Sequence, residues 1–342
     1  MRFHYIICIL FLSFSAGAAA QPASDSLRKI VDQSLQLMEE NSLHRSEINW
    51  KDFRKKVYKQ TAGINNLDSL INQYPLFFKW LNDFHGAVTL DGRWIKWREG
   101  KPLRPLNAMI DSVLTKGPRL KVARFGDIGY YRVPSPTVLA NEIPKATQRY
   151  ADSLCTIDPA TVKAWIIDLR TNTGGNFWPM VTSIATVLGD GVIGGIKYID
   201  NRKTSDNYIE QGKVYANNQF YTIPDNKCAV SPSGLPVVVL VSGATGSSGE
   251  SMALAFKGRP NTIMVGETTS GYVTSNNNWA LHPRVNLFLA TGFMKDRKGQ
   301  HYTDGIIPDV EIRDGDDLYD MKNDRKIRYA IEWLNKKLDK SK

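Results

Sequence analysis

The chain has little cysteine, three residues in 342, and none stands with histidine at zinc-site spacing, which excludes a metal-stapled small fold. It has no apolar run of the roughly 20 residues that cross a bilayer as a helix; the stretch from Ile6 to Ala20 is 15 residues long. Internal repeats are absent, which excludes a solenoid. Lys and Arg outnumber Asp and Glu by 44 to 34, a formal charge of +10, yet they are scattered apart from the tail that begins at Lys336-Lys337. No nucleic-acid motif accompanies them, so the excess reads as a solvated surface with scope for peripheral attachment to anionic lipid. With 42% hydrophobic and 23% charged residues, the composition is that of a soluble globular protein able to bury one large core or two modest ones.

At the N-terminus Arg2 and His4 precede an apolar run that ends in Ala18-Ala19-Ala20. A basic start, an apolar centre and small residues at the exit predict a signal peptide, residues 1–20, cleaved after Ala20, and hence an exported protein, periplasmic or extracellular. An N-terminal membrane anchor is the competing reading. Cys8 lies inside the apolar run, which leaves Cys155 and Cys228 in an oxidising compartment, as a disulfide or as two separate buried thiols.

Residues 21–90 show helical spacing of apolar positions, with helices expected around Ile30 to Met38, Phe53 to Tyr58 and Leu67 to Leu81, and suggest a small bundle. Residues 91–125 read as a connector with one brief helix. From 126 to 315 strands and helices alternate: Ile128 to Val133, a helix over Thr137 to Cys155, Ala164 to Leu169, a helix over Trp178 to Leu188, a β-ribbon over 195–222, Val237 to Val241 and Thr262 to Val265. Such alternation predicts an α/β fold with a mostly parallel sheet covered by helices, whose active residues gather at the carboxyl ends of the strands. Residues 316–342 supply a final amphipathic helix and the basic tail.

The chain is organised around Pro236 to Gly258. Five branched aliphatics, Val237 to Val241, make a buried strand, and a short apolar helix ends near Gly258; between them lies Ser-Gly-Ala-Thr-Gly-Ser-Ser-Gly-Glu. A hydroxyl at such an elbow meets the free N–H groups of a helix N-terminus, a suitable place for a serine nucleophile, although a serine there equally caps the helix. A second loop, Asp168-Leu-Arg-Thr-Asn-Thr-Gly174-Gly175-Asn176, carries paired glycines whose N–H groups could face an anion, or simply start the next helix.

Four segments, in order, resemble the S41 family of serine peptidases, the tail-specific or C-terminal processing proteases: Ile128-Gly-Tyr-Tyr-Arg-Val, Asp168-Leu-Arg-Thr-Asn-Thr-Gly-Gly, Thr245-Gly-Ser-Ser-Gly-Glu250 and Asp304-Gly-Ile-Ile-Pro-Asp309. The resemblance spans residues 125–312. It implies a ClpP/crotonase-like α/β core, a serine-type peptidase, a peptide or unfolded-protein substrate, and no metal or cofactor. It assigns Ser247 as nucleophile, Ser248 and Gly174 as oxyanion donors, and Gly175, Asn176 and Tyr272 as substrate-binding residues. The processing proteases place a lysine base where this chain has Tyr272, a poor base. The branch that includes the nisin-resistance and tricorn-like enzymes instead uses a histidine from an Asp-x-His segment, here Asp83-Phe84-His85, and the run Asn172 to Met180 resembles that branch. It implies a Ser247–His85 dyad without a peptide-binding PDZ insert. By position alone, Asp83, two residues before His85, and Glu267, on an active-edge loop, are candidates to orient the imidazole; His282 and His301 are rival bases within the core that no family motif supports. The resemblance also implies a bundle that must close over the core to deliver His85. The alternative is a peptide or apolar-ligand binding protein on this fold without hydrolysis.

Overall fold

The computed structural model describes residues 22–97, 104–199, 204–227 and 230–340; the expected signal peptide, Cys228 and part of the expected connector lie outside them. Among the described residues the strands form two sheets. In the six-stranded sheet the order is Val310–Glu311, Thr262–Gly266, Val237–Val241, Ala164–Asp168, Ile128–Arg132 and Lys121–Phe125. The first five run parallel and Lys121–Phe125 pairs antiparallel at the edge. The central strands are buried at every position, because helices cover both faces and leave no position for a polar alternation. On one face pack Ile143–Leu154, Phe177–Ser183 and Ser248–Phe256. On the other lies Arg325–Asp339, through Ile327, Ala330 and Leu334.

The second sheet is antiparallel. Its spine is the long strand Val285–Lys295, which pairs along one hairpin with Thr274–His282. Elsewhere it takes the strand Ala87–Leu90 at residues 285–288 and Gly191–Tyr198 at residues 292–295. Gly191–Tyr198, Ser205–Glu210, Lys213–Ala216 and Gln219–Tyr221 are the ribbon expected from the sequence.

The N-terminal helices Pro22–Asn41, Trp50–Thr61, Leu67–Ile71 and Tyr74–Trp80 share one core with this spine: Leu35, Met38, Val57, Phe77 and Phe78 pack in the same cluster as Val285, Leu287 and Leu289. The bundle is therefore built into the second sheet. Between 91 and 125 the chain is more structured than a connector, since Arg93–Lys96 pairs with Ala87–Leu90 and Lys121–Phe125 joins the core sheet. Both strands escape pattern reading because each buries little: Arg93–Lys96 buries only Ile95.

Three helices differ in extent from the expectation. Residues 67–81 divide into two helices, the second with Pro75 in its first turn, where a missing N–H costs nothing. Pro144 likewise sets the start of Ile143–Leu154, later than Thr137. The helix expected over 178–188 breaks at Ile184 into Phe177–Ser183 and Ala185–Leu188.

The C-terminal helix is tied to the carboxyl edge of the core sheet by a buried ionic network. The Arg170 guanidinium, fully buried, donates to Asp168 at 2.7 Å and to Asp316 and Asp324 at 2.6 Å each. Lys326, also fully buried, lies 2.6 Å from Asp316 and 2.6 Å from Glu267. Tyr130 Oη donates to Asp168 at 2.6 Å. Burial alone would raise the Asp168 pKa, but the Arg170 charge beside it outweighs burial and holds the carboxyl well below the usual carboxylate range.

Candidate active site

The elbow after Val237–Val241 carries Ser247 at φ 52, ψ −121, a backbone region that a residue with a Cβ occupies at a cost of about 1–3 kcal/mol. Glu250 holds it there. That carboxylate is fully buried; it accepts the Ser247 N–H at 2.9 Å, the Gly271 N–H at 2.7 Å and the Thr269 hydroxyl. One acidic side chain thus fixes both the nucleophile elbow and the loop after Thr262–Gly266. The motif spacing Ser-x-x-Glu follows from this, because the third residue of a helix reaches back to the N-cap N–H.

The elbow is also fastened to the Gly-Gly loop. The Ser242 hydroxyl donates to Arg170 O at 2.6 Å, Thr245 Oγ1 to Leu169 O at 2.9 Å, and the Gly246 N–H to Asn172 O at 3.0 Å. Asn172, fully buried, uses its side chain to donate to Val133 O at 2.9 Å and to accept the Gly174 N–H at 3.0 Å. Gly174 has φ +123, and a Cβ built on it would lie 2.9 Å from Ser247 Cβ. The glycine is required both by conformation and by this close approach. Gly174→Ala is expected to lower stability by about 1–3 kcal/mol and to displace Ser247. Thermal unfolding of the variant beside its peptide hydrolysis checks both effects.

The Gly174 N–H, expected as an oxyanion donor, is thus spent on the Asn172 side chain; two other N–H groups border this approach. Ser248 begins the helix Ser248–Phe256, so its N–H has no acceptor within the helix. Gly175, at φ +90, lies against Pro136, and the Asn176 N–H donates to Pro136 O at 2.8 Å. The Asn176 side chain caps the next helix through the Trp178 N–H at 3.1 Å.

His85 reaches the same edge from the N-terminal part. Asp83, buried, accepts the N–H groups of His85 at 3.1 Å, Gly86 at 2.6 Å and Ala290 at 2.9 Å. It thus sets the backbone of the loop and ties it to the spine strand. Burial raises the Asp83 pKa, against the pull of these N–H donors. The His85 ring packs edge-on to Tyr272, with centroids 5.1 Å apart, and Phe84 lies 5.5 Å from the same ring. Its Nδ1 is 2.7 Å from Thr274 Oγ1, and the Asn276 amide donates to His85 O at 2.9 Å.

The structure therefore sets Gly174 and Ser248 beside Ser247, ties Ser247 through Glu250 to Gly271, and packs His85 on the next residue, Tyr272. The two carboxylates considered as orienters are engaged elsewhere: Asp83 with backbone N–H groups and Glu267 with Lys326 at 2.6 Å. His282 sits at the far end of the nine-residue strand that starts at Thr274, about 25 Å away at a rise of roughly 3.3 Å per residue. His301 packs on Phe293, with ring centroids 5.7 Å apart. Thr274 carried no signal in the sequence. Among the described residues no group of His, Cys, Asp and Glu could hold a metal ion, and no helix is long and apolar enough to cross a membrane. Cys155 is disulfide-bonded.

The chain has relatives among known proteins. Residues 127–312 match the model of peptidase family S41. Over 316 residues the chain is 25% identical to a nisin-resistance protein of Lactococcus lactis subsp. lactis, covering 92% of this chain and 88% of that one. Among solved structures it resembles a lipoprotein from Streptococcus agalactiae, with a TM-score of 0.67, 21% identity and coverage of 91% and 96%. It also resembles a photosystem II D1 C-terminal processing protease, with a TM-score of 0.53, 15% identity and coverage of 84% and 93%.

Proposed function

From the premise that the chain belongs to peptidase family S41 and is a serine-type peptidase, we propose that it is an exported endopeptidase in which Ser247 is the nucleophile and His85 its general base. The observation that carries this reading is the relay from the Ser247 N–H through buried Glu250 to Gly271 and the adjoining Tyr272, whose ring rests on His85. Tyr272 occupies the place of the lysine of the processing proteases, so a base must come from elsewhere, and the described contacts supply an imidazole.

In the reaction a neutral His85 takes the Ser247 proton as Oγ attacks the peptide carbonyl. The Ser248 N–H serves the developing oxyanion, with Gly175 rather than Gly174 as the second donor, because the Gly174 N–H is held by Asn172; the imidazolium then protonates the leaving amine, and water releases the acyl group by the reverse route. Gly175, Asn176 and Tyr272 border the substrate. Peptides or unfolded C-terminal segments are the substrate class. Export is supported by the N-terminal signal pattern, by the disulfide at Cys155 and by the likeness to a lipoprotein; the basic surface allows peripheral membrane attachment.

A serine-directed fluorophosphonate, with the labelled peptide mapped by mass spectrometry, tests the nucleophile and separates a peptidase from a silent binding protein. Labelling of Ser247 together with cleavage of internal peptide bonds in a peptide panel is the expected result. Absence of both, or labelling at another serine, overturns the proposal.

A further inference from the structure

We propose that Thr274 is a positioning residue of the catalytic unit: its hydroxyl, standing where a carboxylate would be expected, fixes the tautomer and orientation of the His85 imidazole. This rests on His85 being the base of Ser247. Thr274 Oγ1 lies 2.7 Å from Nδ1, across 189 positions of sequence, and the residue is only 4% exposed. It opens the strand Thr274–His282, paired to Phe293. A β-branched side chain is stiff at χ1, so the hydroxyl's direction is set by a sheet.

The residues that hold the histidine are spaced by two. Tyr272 packs on the ring, Thr274 bonds it, and Asn276 donates to its carbonyl. Thr274 and Asn276 stand at the period of one face of the strand, and Tyr272 lies in the loop that leads into it. The nearby carboxylates are committed elsewhere, Asp83 to three backbone N–H groups and Glu267 to Lys326.

The chemistry dictates which partner donates. A neutral imidazole carries one N–H. With that N–H at Nδ1 and Thr274 accepting, the Nε2 lone pair is available for the Ser247 proton. If Thr274 donated instead, Nε2 would hold the hydrogen and could not act as base. Once the serine proton has passed to Nε2, the Nδ1–H still finds its acceptor in Thr274, and no proton moves onto the threonine. A neutral hydroxyl stabilises the imidazolium less than a carboxylate would. Among the described residues, Tyr272 packs on the ring, Asp83 of its own loop is turned to backbone N–H groups, and His44 acts on Asp83.

The test follows the rate and half-saturation of fluorophosphonate attachment to Ser247 in Thr274→Val, Thr274→Ser and His85→Ala, with pH profiles and melting temperatures. Val keeps the shape and removes the acceptor. It should slow attachment by about 10- to 100-fold, in the lower range of acid–base contributions, with half-saturation and melting temperature near those of the parent. Its rising pH limb should shift to lower pH, because the imidazolium loses an acceptor, and Ser should restore the rate. An unchanged rate and pH limb in Val, with His85→Ala inactive, overturns the role of Thr274 and leaves the dyad standing. Equal damage in Val and Ser with lowered melting temperatures also overturns it, as a packing effect. Full activity in His85→Ala overturns the base itself.

Discussion

Replacing Ser247 by Ala is expected to cut peptide hydrolysis by about 10⁴-fold or more, His85→Ala by a comparable factor, and the double variant by no more than either alone. The reason is that the two act as one unit: without the imidazole the hydroxyl keeps its proton, and without the hydroxyl the imidazole has no proton to accept. In the proposed mechanism, whatever activity survives comes from the N–H groups of Ser248 and Gly175, which are backbone and stay in place. Steady-state rates on one cleavable peptide, with circular dichroism to confirm the fold, decide the matter. Additive losses would mean that the two residues serve separate steps.

A second large effect is expected in stability. Arg170→Met removes the cation that faces Asp168, Asp316 and Asp324, all within 2.7 Å of it, and leaves buried carboxylates with less compensation. Such a loss costs about 3–5 kcal/mol, a large part of the 5–15 kcal/mol that typically holds a domain together. Urea unfolding at pH 7 measures it. The network also sets the acid side of the stability profile. The Asp168 pKa is depressed in the folded protein, so its contribution is fully present above the ordinary unfolded value of about 3.9 and disappears as pH falls through the folded value. Asp168→Asn should therefore weaken the protein at neutral pH and flatten the loss of stability on acidification.

How far this was legible from the residues varies with how local the signal is. Val237 to Val241 and the Gly-Ser elbow read clearly because a run of branched aliphatics followed by glycines and hydroxyls has few other uses. The paired glycines at 174 and 175 read for the same reason. The Asp-Leu-Arg segment was legible only as a family mark: that its charges turn inward to clamp the terminal helix depends on Asp316, Asp324 and Lys326, far away in sequence. The pairing of Ala87–Leu90 with residues 285–288 was illegible, since four residues hold too little pattern to name a partner. It changes the picture of the N-terminal helices from a bundle that closes over the core to one sewn into it.

That seam bears on the order in which the molecule assembles. The loop carrying His85 is fixed through Asp83 to Ala290, 207 positions further along the chain. A contact of such separation carries a loop-closure cost before it contributes stability, and contacts of this kind form slowly. Until the spine strand has been made and has folded against the first helices, the nucleophile and its proposed base belong to unconnected segments. The proposed dyad is therefore completed late in folding, after the contacts that join distant parts of the chain.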